Sequence, residues 1–248
     1  MNNRKHRLLC DRRLVIVIVI LANLFSYNAY SADEESLQIE MELKADPYAT
    51  YAQKKSDWSS RISIGIENFM PETYISSLDQ STYTSLFGKN NIQLTILNFG
   101  GQYNTKIGSL FTEIFYGLGS ISNATSQSSM AVTKYGASLG LFLDTMYTDP
   151  YVSPYLSGQI FASDWREADL TNGINTGSHI DMMMSYQIGL SMHLDKVDPI
   201  ASHDAYVEYG LKNSFLDIFA MQILKSQNAL DPNFSTSLNW GLNFRLEF

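Results

Sequence analysis

Leu238-Asn239-Trp240-Gly241-Leu242-Asn243-Phe244-Arg245-Leu246-Glu247-Phe248 closes the chain, alternating large apolar side chains with Asn, Gly, Arg and Glu up to the last residue. A period of two is that of a β-strand, which sends successive side chains to opposite faces. In a water-soluble protein one face of such a strand would pack on a second layer, yet here the sequence stops, on an aromatic ring. An apolar-out, polar-in strand of a membrane barrel accounts for both the alternation and the ending.

The same contrast recurs upstream. Met182, Met184, Tyr186, Ile188, Leu190, Met192 and Leu194 share one face, and Ser185, Gln187, Gly189, Ser191 and His193 the other. Tyr135, Ala137, Leu139, Leu141 and Leu143 oppose Lys134, Gly136, Ser138 and Gly140, while Leu110, Ile114, Tyr116 and Leu118 oppose Glu113, Gly117 and Gly119. Small residues on the polar side suit a narrow barrel interior. Less regular strands are expected over residues 61–68, 91–99, 152–162 and 204–212, which brings the number to eight, the smallest common closed membrane barrel.

Bulk properties agree. The 248 residues suit one domain, and 17% charged residues is low for a soluble one. No internal apolar run reaches the roughly 20 residues a spanning helix needs. Fifteen Tyr, thirteen Phe and three Trp suit strands and membrane-water interfaces.

Arg4, Lys5, Arg7, Arg12 and Arg13 precede the apolar stretch of residues 14–25, and small residues Ala29 and Ser31 follow. This order is that of a secretory signal peptide cleaved before Ala32. Cys10 lies ahead of the apolar core, so the mature chain holds no thiol. Removing residues 1–31 takes five Lys/Arg and one Asp from totals of 17 and 25, leaving 12 against 24 and a formal charge of −12. Nucleic acid is therefore not an expected partner. The expected layout is signal peptide 1–31, periplasmic N-terminal extension 32–57 and outer-membrane barrel 58–248.

Outer-membrane barrels alternate short periplasmic turns with long external loops. Long connections are expected at 69–90, 120–131, 163–179 and 213–234 and shorter ones at 100–108, 144–151 and 195–203, with both chain ends periplasmic. Leu37, Ile39, Met41 and Leu43 also alternate with polar residues and would make a ninth strand; bacterial barrels are usually even-numbered, so this stretch is assigned to the extension. A ten-stranded barrel recruiting part of 213–225 is the alternative.

The ending, with Trp240, Leu242, Phe244, Leu246 and Phe248 on one face, resembles the C-terminal signal read by the outer-membrane barrel assembly machinery. Over residues 59–248 the chain resembles an eight-stranded outer-membrane barrel family described from myxobacteria and related predatory bacteria. Short pieces carry that likeness: Arg61-Ile62-Ser63-Ile64-Gly65-Ile66, Leu86-Phe87-Gly88-Lys89-Asn90, Lys106-Ile107-Gly108-Ser109-Leu110, Val152-Ser153-Pro154-Tyr155, residues 194–199 and the ending from Gly241. The resemblance implies location and fold and brings no functional residues.

Arg61, Glu67, Glu113, Lys134, His193, Glu208, Lys212 and Arg245, together with Glu247, form the candidate interior network, because charges kept from water must be paired. Neighbouring strands put Glu208 near Arg245 and Glu113 near Lys134. A filled interior rigidifies the barrel; an open one would line a narrow channel. His193 with Asp144, Glu208 or Ser191 is the candidate hydrolytic group of a lipid A-modifying enzyme, but no nucleophile elbow is present and no catalytic residue is assigned. Tyr74, Tyr83, Phe87, Trp165, Phe215, Phe219 and Phe234 are candidate loop contacts for a partner. Acidic stretches lack the spacing of a calcium loop, and no metal or cofactor is expected. The expectation is a monomeric, non-enzymatic outer-membrane protein that contacts lipid and lipopolysaccharide and displays its loops for envelope structure or surface interaction.

Overall fold

The structure is a computed structural model and describes residue 51 and residues 55–123, 127–145, 149–228 and 230–248. The signal peptide, its cleavage point and the alternating stretch at 37–43 lie outside the described residues, as does most of the 32–57 extension. Eight strands form one closed ring: β1 (Trp58–Phe69), β2 (Ile92–Asn104), β3 (Ser109–Ser122), β4 (Ser128–Phe142), β5 (Val152–Asp169), β6 (Ile174–His193), β7 (Asn213–Ile223) and β8 (Asn239–Glu247). Each pairs antiparallel with its sequence neighbours, and β8 closes on β1 from Arg61↔Glu247 to Glu67↔Gly241. Ser60 and Phe248 exchange backbone hydrogen bonds of 3.1 and 2.9 Å, so the final residue is tied into the seam. The ten-stranded alternative does not occur.

The expected strand at 204–212 is instead a helix, α2 (Pro199–Tyr209), with a short helix α1 (Tyr83–Phe87) before β2. Asp198 caps α2 by accepting from the Ala201 N–H, Pro199 occupies its first turn and Gly210 ends it in the left-handed conformation. These are ordinary start and stop signals. They outweigh the chance alternation of Ala205, Val207, Tyr209 and Leu211. The seventh strand is β7, inside the region expected to be an external loop. Its inward residues include Phe215, Phe219, Met221 and Ile223 and its outward ones Leu216 and Ile218, so both faces are apolar and no alternation marks it.

Connections differ accordingly. At the end away from the start of β1 and the finish of β8, residues 70–91 and 224–238 form long loops, but β3–β4 and β5–β6 join through residues 123–127 and 170–173 only. The residues expected in those loops prolong the strands. β4 pairs with β5 out to Ser128↔Asp169 and β5 with β6 out to Asp169↔Ile174, whereas β6 meets β7 only from Ser185↔Ile223 onward. A β-bulge, with register shifting between Phe161 and Ser163, marks where this wall leaves the ring. At the terminal end the β6–β7 connection, residues 194–212, is the long one because it carries α2.

The two faces of the ring are inverted relative to a soluble protein. Ile64, Ile66, Leu97, Ile114, Leu139, Leu156, Ile160, Ile188, Leu190, Ile218, Leu242 and Phe244 are exposed on the outer surface. Trp58 packs at a tilt against Tyr103, with ring centroids 4.8 Å apart, toward the terminal end, while Tyr116, Tyr186 and Trp240 are exposed toward the loop end. Single exposed apolar residues are normal; a continuous belt bounded by aromatic rings needs an apolar surrounding.

Candidate functional site

Polar and charged side chains fill the interior in three layers. In the layer nearest the loop end, the Lys134 ammonium donates to both Glu67 carboxylate oxygens, at 2.8 and 3.0 Å, and to Gln159 Oε1 at 2.9 Å. Its three donors are thereby used. The Phe161 and Phe115 rings lie 4.5 and 5.3 Å from the same nitrogen. A void of only ≈ 10 Å³ adjoins Lys134, Phe161 and Met183, room for about one water.

The next layer is built on two guanidinium groups. Arg61 Nε lies 2.6 Å from Glu113 Oε1, and the group sits 4.2 Å from the Phe111 ring. Arg245 binds Asp217 in a fork, Nε at 2.9 and Nη2 at 3.3 Å, donates to Ser191 Oγ at 2.7 Å and rests 3.8 Å from the Phe215 ring. Such bidentate, ring-stacked geometry is particular to arginine.

Glycine makes these layers possible. Gly100 lies between Arg61 and Glu113 in the pairing of β1, β2 and β3, and a Cβ there would sit 2.7 Å from Glu113 Cγ. Phe111 lies over Gly140 and Phe219 over Gly241 in the same manner, with 2.2 Å left for a Cβ in each case. Large inward rings thus fit a narrow ring of strands because the facing residue has no side chain.

At the terminal end Tyr51, ahead of β1, is buried. Tyr51 donates to Asp144 Oδ2 at 2.9 Å and packs edge-on against His193 at 4.6 Å. Asp144 also accepts from Ser109 at 2.7 Å and pairs with Lys55 at 2.8 Å. Burial above all, and then the negative charges of Glu247 and Asp144, push the Tyr51 phenol well above its usual range. His193 Nε2 lies 3.1 Å from Ser153 Oγ, and both side chains are buried, at 4% and 1% exposure.

Arg61, Glu67, Glu113, Lys134, His193 and Arg245 therefore lie inside, but not in the expected pairs. Glu113 and Lys134 are on adjacent strands whose register puts Ser138 opposite Glu113 and Gly117 opposite Lys134. An offset of four residues is about 13 Å along a strand, so each charge finds its partner across the barrel instead. Glu208 and Lys212 are corrections. Glu208 is exposed on α2, and Lys212 stands just ahead of β7, donating to Ser56 Oγ at 2.8 Å. Asp217, which takes the place expected of Glu208 beside Arg245, falls in the unrecognised β7. Ser191 serves Arg245 rather than His193.

The loop aromatics are also a correction: Tyr74, Tyr83, Phe87, Trp165, Phe215, Phe219 and Phe234 are all buried. Tyr74 stacks on Phe234 at 5.2 Å, meets Trp165 at 5.7 Å and donates to Glu167 Oε2 at 2.7 Å. Thr73 bonds to Ser235 and Glu72 to Ser237, joining the two long loops. Burial first, then the bond to Glu167, raises the Tyr74 phenol above its usual range. The loop end is thus a packed cap. The outer face just below it carries His179, whose ring nitrogens lie 2.8 Å from Asp164 and 2.9 Å from Asp181.

No protein-family model matches the chain, and no curated protein matches it. Solved structures to which it is similar include Neisserial surface protein A at 14% identity, over 78% of this chain and 98% of that one, TM-score 0.46. The attachment invasion locus protein of Yersinia pestis is similar at 12% identity, over 77% and 97%, TM-score 0.43. The outer membrane protein OprG of Pseudomonas aeruginosa is similar at 10% identity, over 77% and 95%, TM-score 0.39.

Proposed function

We propose that this chain is an integral protein of a bacterial outer membrane, non-enzymatic, whose barrel serves as a rigid pedestal for interaction at its loop end. The inversion of its two faces carries the reading. A belt from Ile64 to Phe244 is apolar and exposed while the interior holds Arg61, Lys134 and Arg245 in ion pairs. In water that belt would leave an apolar surface far beyond the few hundred Å² typical of a monomer; in hydrocarbon it is stabilising. Only helices and closed barrels satisfy every backbone group there. Export through the signal peptide, assembly through the C-terminal signal, contact with lipopolysaccharide, a monomeric state and kinship with the myxobacterial barrels belong to the same reading.

Two features favour a pedestal over a channel or an enzyme. The described interior is occupied by paired side chains, and the void beside Lys134 is only ≈ 10 Å³. The Ser153–His193 pair is buried, with Tyr51 packed edge-on against the His193 ring. The reading is tested by fractionating cell envelopes and running the protein on gels before and after boiling. A faster-migrating unboiled form in the outer-membrane fraction is expected. A form that migrates identically in both states, recovered from the soluble fraction, would refute the proposal.

A further inference from the structure

The wall of β4, β5 and β6 that rises beyond the ring ends in a strand with one side unpaired. Residues 174–184 of β6 pair with β5, but the ladder to β7 starts at Ser185. The direction of the backbone groups follows from the bonds at either end of the neighbouring strands. Pro154 accepts from Leu143 and Leu170 donates to Gln127, so even-numbered residues of β5 face β4 and odd-numbered ones face β6. Ser163, Trp165, Glu167 and Asp169 then share their bonds with Ile180, Ser178, Thr176 and Ile174, their register partners. By the alternation of an antiparallel ladder, the N–H and C=O groups of Asn175, Gly177 and His179 point away from β5. Among the described residues no backbone group of another strand meets them, and all three residues are exposed.

Natural sheets cover or blunt such edges with proline, lysine or a bulge. This one carries none of them beyond the bulge at its base. Its charge is net acidic: Asp181 and Asp164 flank His179 on the outward face, the Asp181 side chain being 94% exposed, and Asp169 stands at the tip, against the cation Arg166, exposed opposite Gly177.

We propose that the free edge of β6 at residues 174–180 binds an extended, lysine- or arginine-bearing segment of another protein by adding it as a further strand. This inference rests on the outer-membrane reading above. Backbone groups of Asn175, Gly177 and His179 supply the ladder, and Asp164 and Asp181 select for cationic side chains on the outward face. A second copy of this chain is the weaker occupant. Two copies upright in one membrane are related by an axis along its normal, so their β6 strands point the same way and pair only in parallel, the less stable arrangement.

The probe is a short synthetic peptide alternating Lys with Val, added to the full chain folded in zwitterionic micelles, with amide exchange read residue by residue. The peptide is expected to slow exchange at Asn175, Gly177 and His179 by about ten-fold or more, leaving Thr176 and Ser178, already bonded to β5, unchanged. Asn175→Pro, which removes an edge donor but no bond to β5, weakens peptide binding about ten-fold. Asp181→Asn weakens it less and reduces its salt dependence. Edge amides that exchange slowly without peptide, protection that grows with protein concentration alone, or unchanged binding in Asn175→Pro would each overturn the proposal. Gel migration of the same samples before and after boiling separates failure here from failure of the barrel reading.

Discussion

Replacing Lys134 by Met removes the cation that pairs with Glu67 while keeping the length and apolar stem of the side chain. The wild-type ammonium makes three hydrogen bonds of 2.8 to 3.0 Å, and both members of the pair are 1% exposed. Glu67 would be left as a buried carboxylate without its partner, and Gln159 would lose a donor. Breaking a buried pair in this way costs about 3–5 kcal/mol, a shift of roughly two to nearly four decades in the folded-to-unfolded ratio. Removing both charges, as Glu67→Met with Lys134→Met, leaves no uncompensated group and costs far less, within about 1–2 kcal/mol of wild type, because an apolar pair can replace a buried ion pair. Reversible urea unfolding in lipid vesicles, followed by tryptophan fluorescence and by gel migration of the unboiled protein, measures Lys134→Met, Glu67→Met alone and the double variant. The cycle is expected to return a coupling of about 2–3 kcal/mol or more. A coupling below about 0.5 kcal/mol, or a double variant less stable than Lys134→Met alone, would refute the claim that this pair holds the interior.

Gly100→Ala forces a methyl against Glu113 and the β3 backbone and should cost about 1–3 kcal/mol, whereas Gly158→Ala, with nothing within 4 Å of the new Cβ, should be neutral in the same unfolding assay. Ile188→Arg on the outer belt should cost about 2–4 kcal/mol in a bilayer; a neutral result would place that face in water. Tyr74→Phe should cost about 1–3 kcal/mol by leaving Glu167 without its donor. The raised Tyr74 phenol gives an alkaline signature of known sign. The unfolded chain releases this proton near pH 10 and the folded one only at higher pH, so stability is full below about pH 10 and falls above it. Loop-end amide exchange in wild type should therefore accelerate above that pH, and Tyr74→Phe should show less of the rise.

What could be read from sequence follows from how the two faces of each strand differ. In β8 and β6 the outward residues are apolar and the inward ones polar, so Trp240, Leu242 and Phe244, or Tyr186, Ile188 and Leu190, announce their strand and its orientation. β7 escapes because its inward residues are largely apolar and pack against the interior cations: Phe215 lies under Arg245, and Met221 lies beside Lys134. The interior charges on alternating strands, Arg61, Glu67, Glu113, Lys134 and Arg245, are legible for the same reason that β8 is, whereas Glu208 and Lys212 are misplaced by it and Asp217 is missed with β7. The partners of the interior charges were not legible, since Arg61 reaches from β1 to β3 and Lys134 from β4 to β1, and sequence adjacency says nothing about contacts through the lumen. The buried cap of Tyr74, Trp165 and Phe234 was hidden similarly, since a loop that folds inward looks in sequence like one that displays its aromatics.

The three tryptophans give the most direct test of the inverted faces, because Trp58 and Trp240 are outward, at 64% and 60% exposure, and Trp165 is inward at 7%. In vesicles of brominated lipid, variants keeping only Trp58 or only Trp240 should be strongly quenched, and a variant keeping only Trp165 should keep its emission. Equal quenching of all three, or quenching of Trp165 alone, would contradict an apolar exterior around a polar, sealed interior.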